Sequence, residues 1–229
     1  MRLSLPPFRV LLAVFVLFPA LLRAESTVGP LARWEKEIAA IEAKDPVSAE
    51  TKGGIVFVGS SSIKKWTSLA QDFPRHRVLN HGFGGSQMAD SVFFAERIIL
   101  PYEPRFIVVY AGGNDLNAGK KPEQVFADFR AFVEKVRAKL PQTGIAYISI
   151  APNPKRWAQV EQVKAANALI AGYIKDQPGL KFIDVYPRML GPDGLPLPNI
   201  FVADRLHMNA AGYKLWTEIV GTALPAPDR

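Results

Sequence analysis

Five short apolar runs, separated by longer stretches with helical periodicity, constrain the fold of this chain more than any other feature. The runs are of strand length and unbroken, which is the pattern of strands buried on both faces. Strands that alternate with helices form a parallel sheet with helices on both sides. The sequence therefore predicts an α/β fold, a three-layer α/β/α sandwich around a central parallel sheet of about five strands. The predicted strands are IVFVG at 55–59, RVLN at 77–80, FIVVYA at 106–111, IAYISIA at 145–151 and LKFIDVY at 180–186.

An amphipathic helix is predicted ahead of the first strand. The segment LARWEKEIAAIEA at 31–43 places Leu31, Trp34, Ile38 and Ile41 on one face, and the helix ends before Asp45. We therefore divide the chain after residue 24 into an N-terminal helix with its connection, residues 25–53, and a main domain, residues 54–229.

Residues 1–24 are typical of a secretory signal peptide. Arg2 and Arg9 are followed by an almost uninterrupted apolar run at 10–22, and the small residue Ala24 precedes a polar segment. The run is shorter than the roughly 20 residues that a membrane span needs. We expect cleavage after Ala24, a secreted or periplasmic protein and no membrane attachment of the mature chain; an uncleaved anchor is the alternative.

Composition argues against several classes of function. The chain has no cysteine, which excludes disulfides, thiolate metal sites and a cysteine nucleophile. It has no paired-histidine motif either, so no metal site is predicted. The net charge is +7, or +4 without the three arginines of residues 1–24, and the basic residues are scattered. A nucleic-acid partner is therefore not expected.

Polar and glycine-rich segments follow the predicted strands. In sheets of this kind, ligands bind outside the carboxyl ends of the strands. Together the segments offer a hydroxyl, a glycine-rich turn, an amide and an acid–base pair, which are the groups that acyl transfer needs. They are GSSS at 59–62, NHGFGGS at 80–86, GGND at 112–115, PNPKRW at 152–157 and DRLH at 204–207.

The acid–base pair and the amide are the most informative of these groups. His207 has a carboxylate, Asp204, three residues upstream, which can fix the tautomer of the imidazole. Asn114 can donate to a transient oxyanion without carrying charge. Each segment taken alone also fits an ordinary turn.

In order along the chain, the segments VFVGSSSI, NHGFGGS, GGND and DRLH resemble the sequence blocks of the SGNH hydrolases, also called GDSL-type esterases and lipases. The resemblance covers roughly residues 54–224. It implies a flavodoxin-like sheet, a Ser–His–Asp triad and no cofactor. It also implies an oxyanion hole made by the N–H of the nucleophile, a glycine N–H and an asparagine side chain.

Residue by residue, the resemblance implies Ser61 as the nucleophile, with Asp204 and His207 as its acid–base pair. The oxyanion donors are then the N–H groups of Ser61 and Gly85 and the side chain of Asn114.

Ser60 departs from the family pattern, which usually has aspartate at this position. That aspartate is not part of the triad, so the resemblance still implies an active enzyme. The departure leaves Ser60 and Ser62 as alternative nucleophiles.

Three aromatic residues, Trp66, Phe83 and Trp157, lie near the expected mouth of the site, and we expect them to form a substrate platform. We expect His81 to face solvent. Asn167 falls on the apolar face of its helix, so its amide must find buried partners, which predicts a structural role.

The sequence therefore predicts an exported serine esterase that hydrolyses esters of small acyl groups, including acetyl groups on carbohydrate. Its partner would be a small-molecule or carbohydrate ester. Two alternatives stay open: an acyltransferase to a sugar hydroxyl on the same fold, and a non-catalytic glycan-binding module on a decayed hydrolase scaffold.

Overall fold

The central sheet has five parallel strands in the order β2-β1-β3-β4-β5. The computed structural model describes residues 30–227, so the predicted signal peptide and its cleavage site lie outside the described residues. The strand order is the flavodoxin-like one and confirms the predicted α/β class. The strands are β1 Ile55–Gly59, β2 Val78–Gly82, β3 Phe106–Tyr110, β4 Gly144–Ile148 and β5 Leu180–Ile183.

Helices cover both faces of the sheet. Val56 and Val58 of β1 face one apolar cluster, and Ile55 and Phe57 face the other, because successive side chains of a strand point to opposite faces. Helices α1, α4, α6 and α7 pack on the first face; α2, α3 and α8 pack on the second. The helices are α1 Glu35–Lys44, α2 Ser61–Lys64, α3 Leu69–Asp72, α4 Met88–Ile98, α5 Gly113–Asn117, α6 Pro122–Lys139, α7 Val160–Lys175 and α8 Ala210–Gly221.

Strand register brings the segments that follow β1, β2 and β3 to the same end of the sheet. Gly59 at the end of β1 is level with Gly82 of β2 and with Tyr110 of β3. The segments that follow these three residues therefore leave the sheet side by side. They carry the serines, the glycine loop and Asn114, respectively.

The second strand extends further than its apolar run. It pairs with β1 as far as Gly82, so His81 lies inside the sheet. The expectation that His81 faces solvent was wrong: its side chain is fully buried, with Nδ1 2.6 Å from the carbonyl oxygen of Ile98 and Nε2 3.3 Å from the Asp45 carboxylate. Backbone pairing, not the apolar pattern, determines where β2 ends.

The N-terminal helix forms as predicted but begins later. A 3-10 turn at Pro30–Trp34 leads into α1, and Trp34, Ile38 and Ile41 are buried on its inner face. Within the described residues, no helix has both the length and the apolar composition that crossing a membrane requires.

Candidate active site

Ser61 lies two residues after Gly59, a glycine whose backbone leaves no room for a side chain. Gly59 has a φ of +136°, and a Cβ there would be 1.9 Å from the carbonyl oxygen of Tyr110. This close approach lets the chain turn sharply out of β1 through Ser60 and start α2 at Ser61. The Ser61 N–H is at the first helical position, so it has no acceptor within the helix.

The imidazole of His207 connects Ser61 to Asp204. His207 Nε2 is 2.9 Å from Ser61 Oγ, and His207 Nδ1 is 2.6 Å from Asp204 Oδ2. The other carboxylate oxygen accepts the N–H groups of Leu206 and His207, both at 2.9 Å. The hydrogen bond from the His207 ring, together with these backbone N–H groups, holds the pKa of Asp204 well below its ordinary value. Of the three consecutive serines in the described part of the chain, only Ser61 makes a hydrogen bond with this ring.

The loop that carries this pair is held in an unusual backbone conformation. Arg205 has a φ of +60°, a left-handed value that costs a non-glycine residue about 1 kcal/mol or more. Its N–H donates to the carbonyl of Val202, and its carbonyl accepts the N–H of Lys155 at 3.0 Å. These contacts hold the turn in which the Asp204 carboxylate meets the ring of His207.

Of the predicted oxyanion donors, Asn114 lines the cavity at Ser61, whereas Gly85 lies in the loop after β2 and is not among the lining residues. Asn114 Nδ2 donates to the carbonyl of Ser86 at 3.0 Å, which leaves its second N–H free to donate elsewhere. Gly85 has a φ of +74°, and a Cβ there would meet nothing within 4 Å, so the residue borders open space. Among residues 30–227, the Gly85 N–H has no protein acceptor.

The 3-10 turn at Pro30–Trp34 and helix α1 hold the glycine-rich loop after β2 in place. The Trp34 indole donates to the carbonyl of Gly84 at 2.7 Å, and the Gly84 N–H donates to the Glu37 carboxylate at 2.8 Å. Glu37 also pairs with Lys64 of α2 at 2.8 Å. Although burial opposes ionisation, Lys64 and the Gly84 N–H outweigh it and lower the pKa of Glu37. The sequence carries no local signal for these contacts.

A buried aspartate connects helix α5, which carries Asn114, to helix α4. Asp115 is fully buried and accepts the Met88 N–H at 3.1 Å, while Lys120 lies 3.0 Å from its carboxylate. Burial raises the pKa of Asp115 despite Lys120. This side chain therefore holds the loop that presents Asn114.

Two of the three aromatic residues expected at the mouth are part of the core, so that prediction was wrong for them. Trp66 is fully buried and donates its indole N–H to Asp72 at 2.6 Å. Phe83 is also fully buried, packed edge-to-face on Trp34 and Phe94. Trp66 follows α2 and Phe83 follows β2 directly, and their rings belong to the apolar clusters between the sheet and the helices.

Trp157, the third aromatic residue, is half-buried beside the site rather than in it. It lines a small adjoining depression with Asn153, Arg156 and Tyr186. It does not line the cavity at Ser61.

The cavity at Ser61 is small, about 40 Å³. Its lining includes the polar side chains of Asn153, Arg156 and Gln159. Its lining also includes apolar side chains, among them Met189, Phe201, Leu206, Met208 and Trp216.

Arg156 was not singled out from the sequence, although it lies in the PNPKRW segment at a strand end. Its guanidinium is half-buried, and burial lowers its pKa. Because the ordinary pKa of an arginine side chain is very high, the group stays charged. Its Nη1 donates to the carbonyl of Gly113 at 3.0 Å and to Asn114 Oδ1 at 3.1 Å.

No cluster of three or more potential metal-ligating side chains is present among residues 30–227.

Comparison with known proteins yields a consistent set of relatives. The statistical model of the GDSL-like lipase/acylhydrolase family matches residues 55–215. Platelet-activating factor acetylhydrolase IB subunit alpha1 of Bos taurus is 28% identical over 178 residues, 72% of each chain.

Solved structures share the fold. A GDSL-like lipase from Bacteroides thetaiotaomicron superposes with a TM-score of 0.68 at 20% identity, covering 85% of this chain and 96% of the other. A family 3 carbohydrate esterase from Clostridium thermocellum does so with a TM-score of 0.60 at 16% identity, covering 75% and 94%.

Proposed function

We propose, from the premise that this chain belongs to the GDSL-like lipase/acylhydrolase family, that it is an exported serine esterase for small acyl groups, acetyl above all. Its family and its acetylhydrolase relatives make it an ester-hydrolysing serine hydrolase. The substrate, the residue roles and export are the parts we propose. The observation that carries the roles is the continuous hydrogen-bonded chain from Ser61 through His207 to Asp204.

In this proposal, Ser61 Oγ forms a bond to the ester carbonyl carbon while its proton passes to His207 Nε2. Asp204 keeps the Nδ1 proton of His207 in place and stabilises the imidazolium. The negative charge on the carbonyl oxygen is held by the N–H groups of Ser61 and Gly85 and by Asn114 Nδ2.

The tetrahedral intermediate then collapses to an acyl-enzyme. The ester carbon–oxygen bond breaks, and the leaving alcohol takes the proton from His207. A water molecule, deprotonated by His207, attacks the acyl-enzyme and releases the acid, which restores Ser61. No cofactor takes part in the proposed steps.

The size of the cavity supports a small acyl group. A water molecule needs about 10–15 Å³ of such space, so 40 Å³ holds roughly three small heavy atoms. That is the size of an acetyl group, so the enclosed space at Ser61 favours a small acyl group. The name of the bovine relative, an acetylhydrolase subunit, agrees with this choice.

The polar residues that line the cavity support a hydroxyl-rich alcohol. Asn153, Arg156 and Gln159 are among the lining residues, and we propose that the leaving alcohol binds against them. Acetylated carbohydrate is therefore our proposed substrate class. The carbohydrate esterase neighbour shares only the fold, so the proposal depends on these polar side chains. The proposal that the protein is exported depends on the sequence of residues 1–24.

The first experiment tests the nucleophile. We expect Ser61→Ala to abolish hydrolysis of p-nitrophenyl acetate while circular dichroism and thermal unfolding stay those of wild type. A fluorophosphonate probe should label wild type at Ser61, as located by peptide mapping, and should fail to label Ser61→Ala. Full turnover in Ser61→Ala, or a label on another serine, would refute the assignment. An unlabelled and inactive wild type would favour a binding module.

A further inference from the structure

Arg156 carries the only permanent charge among the described residues that line the cavity at Ser61. Asn153 caps its turn by accepting the Arg156 N–H at 2.9 Å, and Arg156 itself departs from helical geometry with φ −120° and ψ 26°. Its side chain reaches α5, where a single nitrogen donates to both Gly113 and Asn114.

These contacts determine how the Asn114 carboxamide is oriented. A guanidinium has only donors, so the atom of Asn114 that faces it must be Oδ1. On the other side, the carbonyl of Ser86 requires a donor, which is Nδ2. A flipped carboxamide would place N–H against N–H and oxygen against oxygen. Arg156 and Ser86 together therefore leave one N–H of Asn114 free in a fixed direction.

The charge of Arg156 has no compensating carboxylate within the described residues, where its side-chain partners are a carbonyl and an amide. Such a half-buried charge interacts most favourably with negative charge that develops nearby. Polarisation of the carboxamide by the guanidinium also makes its free N–H a stronger donor.

We propose that Arg156 is a positioning residue for the oxyanion hole: it holds and polarises the Asn114 carboxamide so that its free N–H meets the oxyanion. This inference rests on the proposed role of Asn114. Because the oxyanion exists only along the reaction path, Arg156 should affect kcat more than KM.

A double-mutant cycle tests the inference on p-nitrophenyl acetate, a neutral ester. Removing one oxyanion donor typically lowers kcat by about 10²–10³-fold, which sets the scale for Asn114→Ala. We expect Arg156→Met to lower kcat by about tenfold to a hundredfold with little change in KM. The double variant should be no slower than Asn114→Ala alone, since Arg156 acts through Asn114.

Two further variants complete the design. Arg156→Lys keeps the charge but replaces the rigid, planar guanidinium with a compact ammonium on a flexible chain, so its kcat should lie between those of wild type and Arg156→Met; it also carries the test if Arg156→Met does not fold. Arg130→Met is the matched control, because Arg130 is exposed on α6, where it pairs with Glu134. Its kcat should equal that of wild type.

Additive losses in the double variant would overturn the proposal. An effect confined to KM would also overturn it. So would an effect that appears only with a matched ester whose ring carries a carboxylate, because Arg156 would then recognise an anionic substrate. If Arg156→Met kept the wild-type kcat while Ser61→Ala was inactive, only this inference would be refuted. Activity in Ser61→Ala would refute the proposed function.

Discussion

Replacing Asn167 with alanine should destabilise the protein by about 3 kcal/mol. Asn167 lies on the inner face of α7 and is 9% exposed. Its Oδ1 accepts the N–H of Ile150 at 2.8 Å, and its Nδ2 donates to the carbonyl of the same residue at 3.0 Å. Ile150 is past the end of β4, so no neighbouring strand pairs with these two backbone groups.

The magnitude follows from these contacts. In Asn167→Ala, a buried N–H and a buried C=O lose their partners, at about 1–3 kcal/mol each. Alanine's higher helix propensity offsets about 0.6 kcal/mol. A change of 1 kcal/mol shifts Tm by about 2–4 °C in a domain of this size, so Tm should fall by about 6–12 °C.

Equilibrium unfolding in urea, with thermal unfolding as a second measurement, checks the prediction. Gln162→Ala is the matched control, because Gln162 is an exposed amide on the same helix; its stability should equal or slightly exceed that of wild type. A loss below about 1 kcal/mol in Asn167→Ala, or one no larger than that of Gln162→Ala, would refute the reasoning.

Further predictions concern the site and the core. Asp204→Asn should lower kcat on p-nitrophenyl acetate by on the order of 10⁴-fold, because His207 loses the carboxylate that fixes its tautomer; an unchanged kcat would contradict this role. The depressed pKa of Asp204 means that its contribution to stability is present above the ordinary carboxyl pKa of 3.8 and is lost as pH falls below it. The stability difference between wild type and this variant, measured by urea unfolding, should therefore shrink in acid. Ser60→Ala should keep wild-type kcat and fluorophosphonate labelling, because the Ser60 side chain does not cap α2 and His207 contacts Ser61; a loss like that of Ser61→Ala would reopen the choice of serine. Trp66→Ala should cost about 3–5 kcal/mol of unfolding free energy as a core substitution, and a raised KM in a stable Trp66→Ala would instead support the substrate platform.

Most of the fold was predictable because the determining patterns are local. An unbroken apolar run such as 106–111 has to be covered on both faces whatever lies elsewhere in the chain. Errors occurred where pairing between distant segments overrides local pattern. Thus β2 continues through His81 because β1 offers it a partner as far as Gly59.

The candidate site, like the fold, was predictable in part. Its residue types and their place after the strands are visible in the sequence, and the parallel topology brings those loops to one edge. The rings of Trp66 and Phe83 point into the core because of the path that each loop takes on leaving the sheet. That path depends on contacts with α1, α3 and α8, which the local sequence does not specify.

By itself, the sequence determined the class of fold and the set of residues from which a triad and an oxyanion hole can be built. Only the tertiary structure decided which of three consecutive serines meets His207, a residue 146 positions away, because the turn at Gly59 sets the direction of each hydroxyl. It also revealed that Glu37 contacts the glycine-rich loop at Gly84 and that Arg156 contacts Asn114. Such contacts join segments far apart in the chain, so no local pattern or periodicity records them.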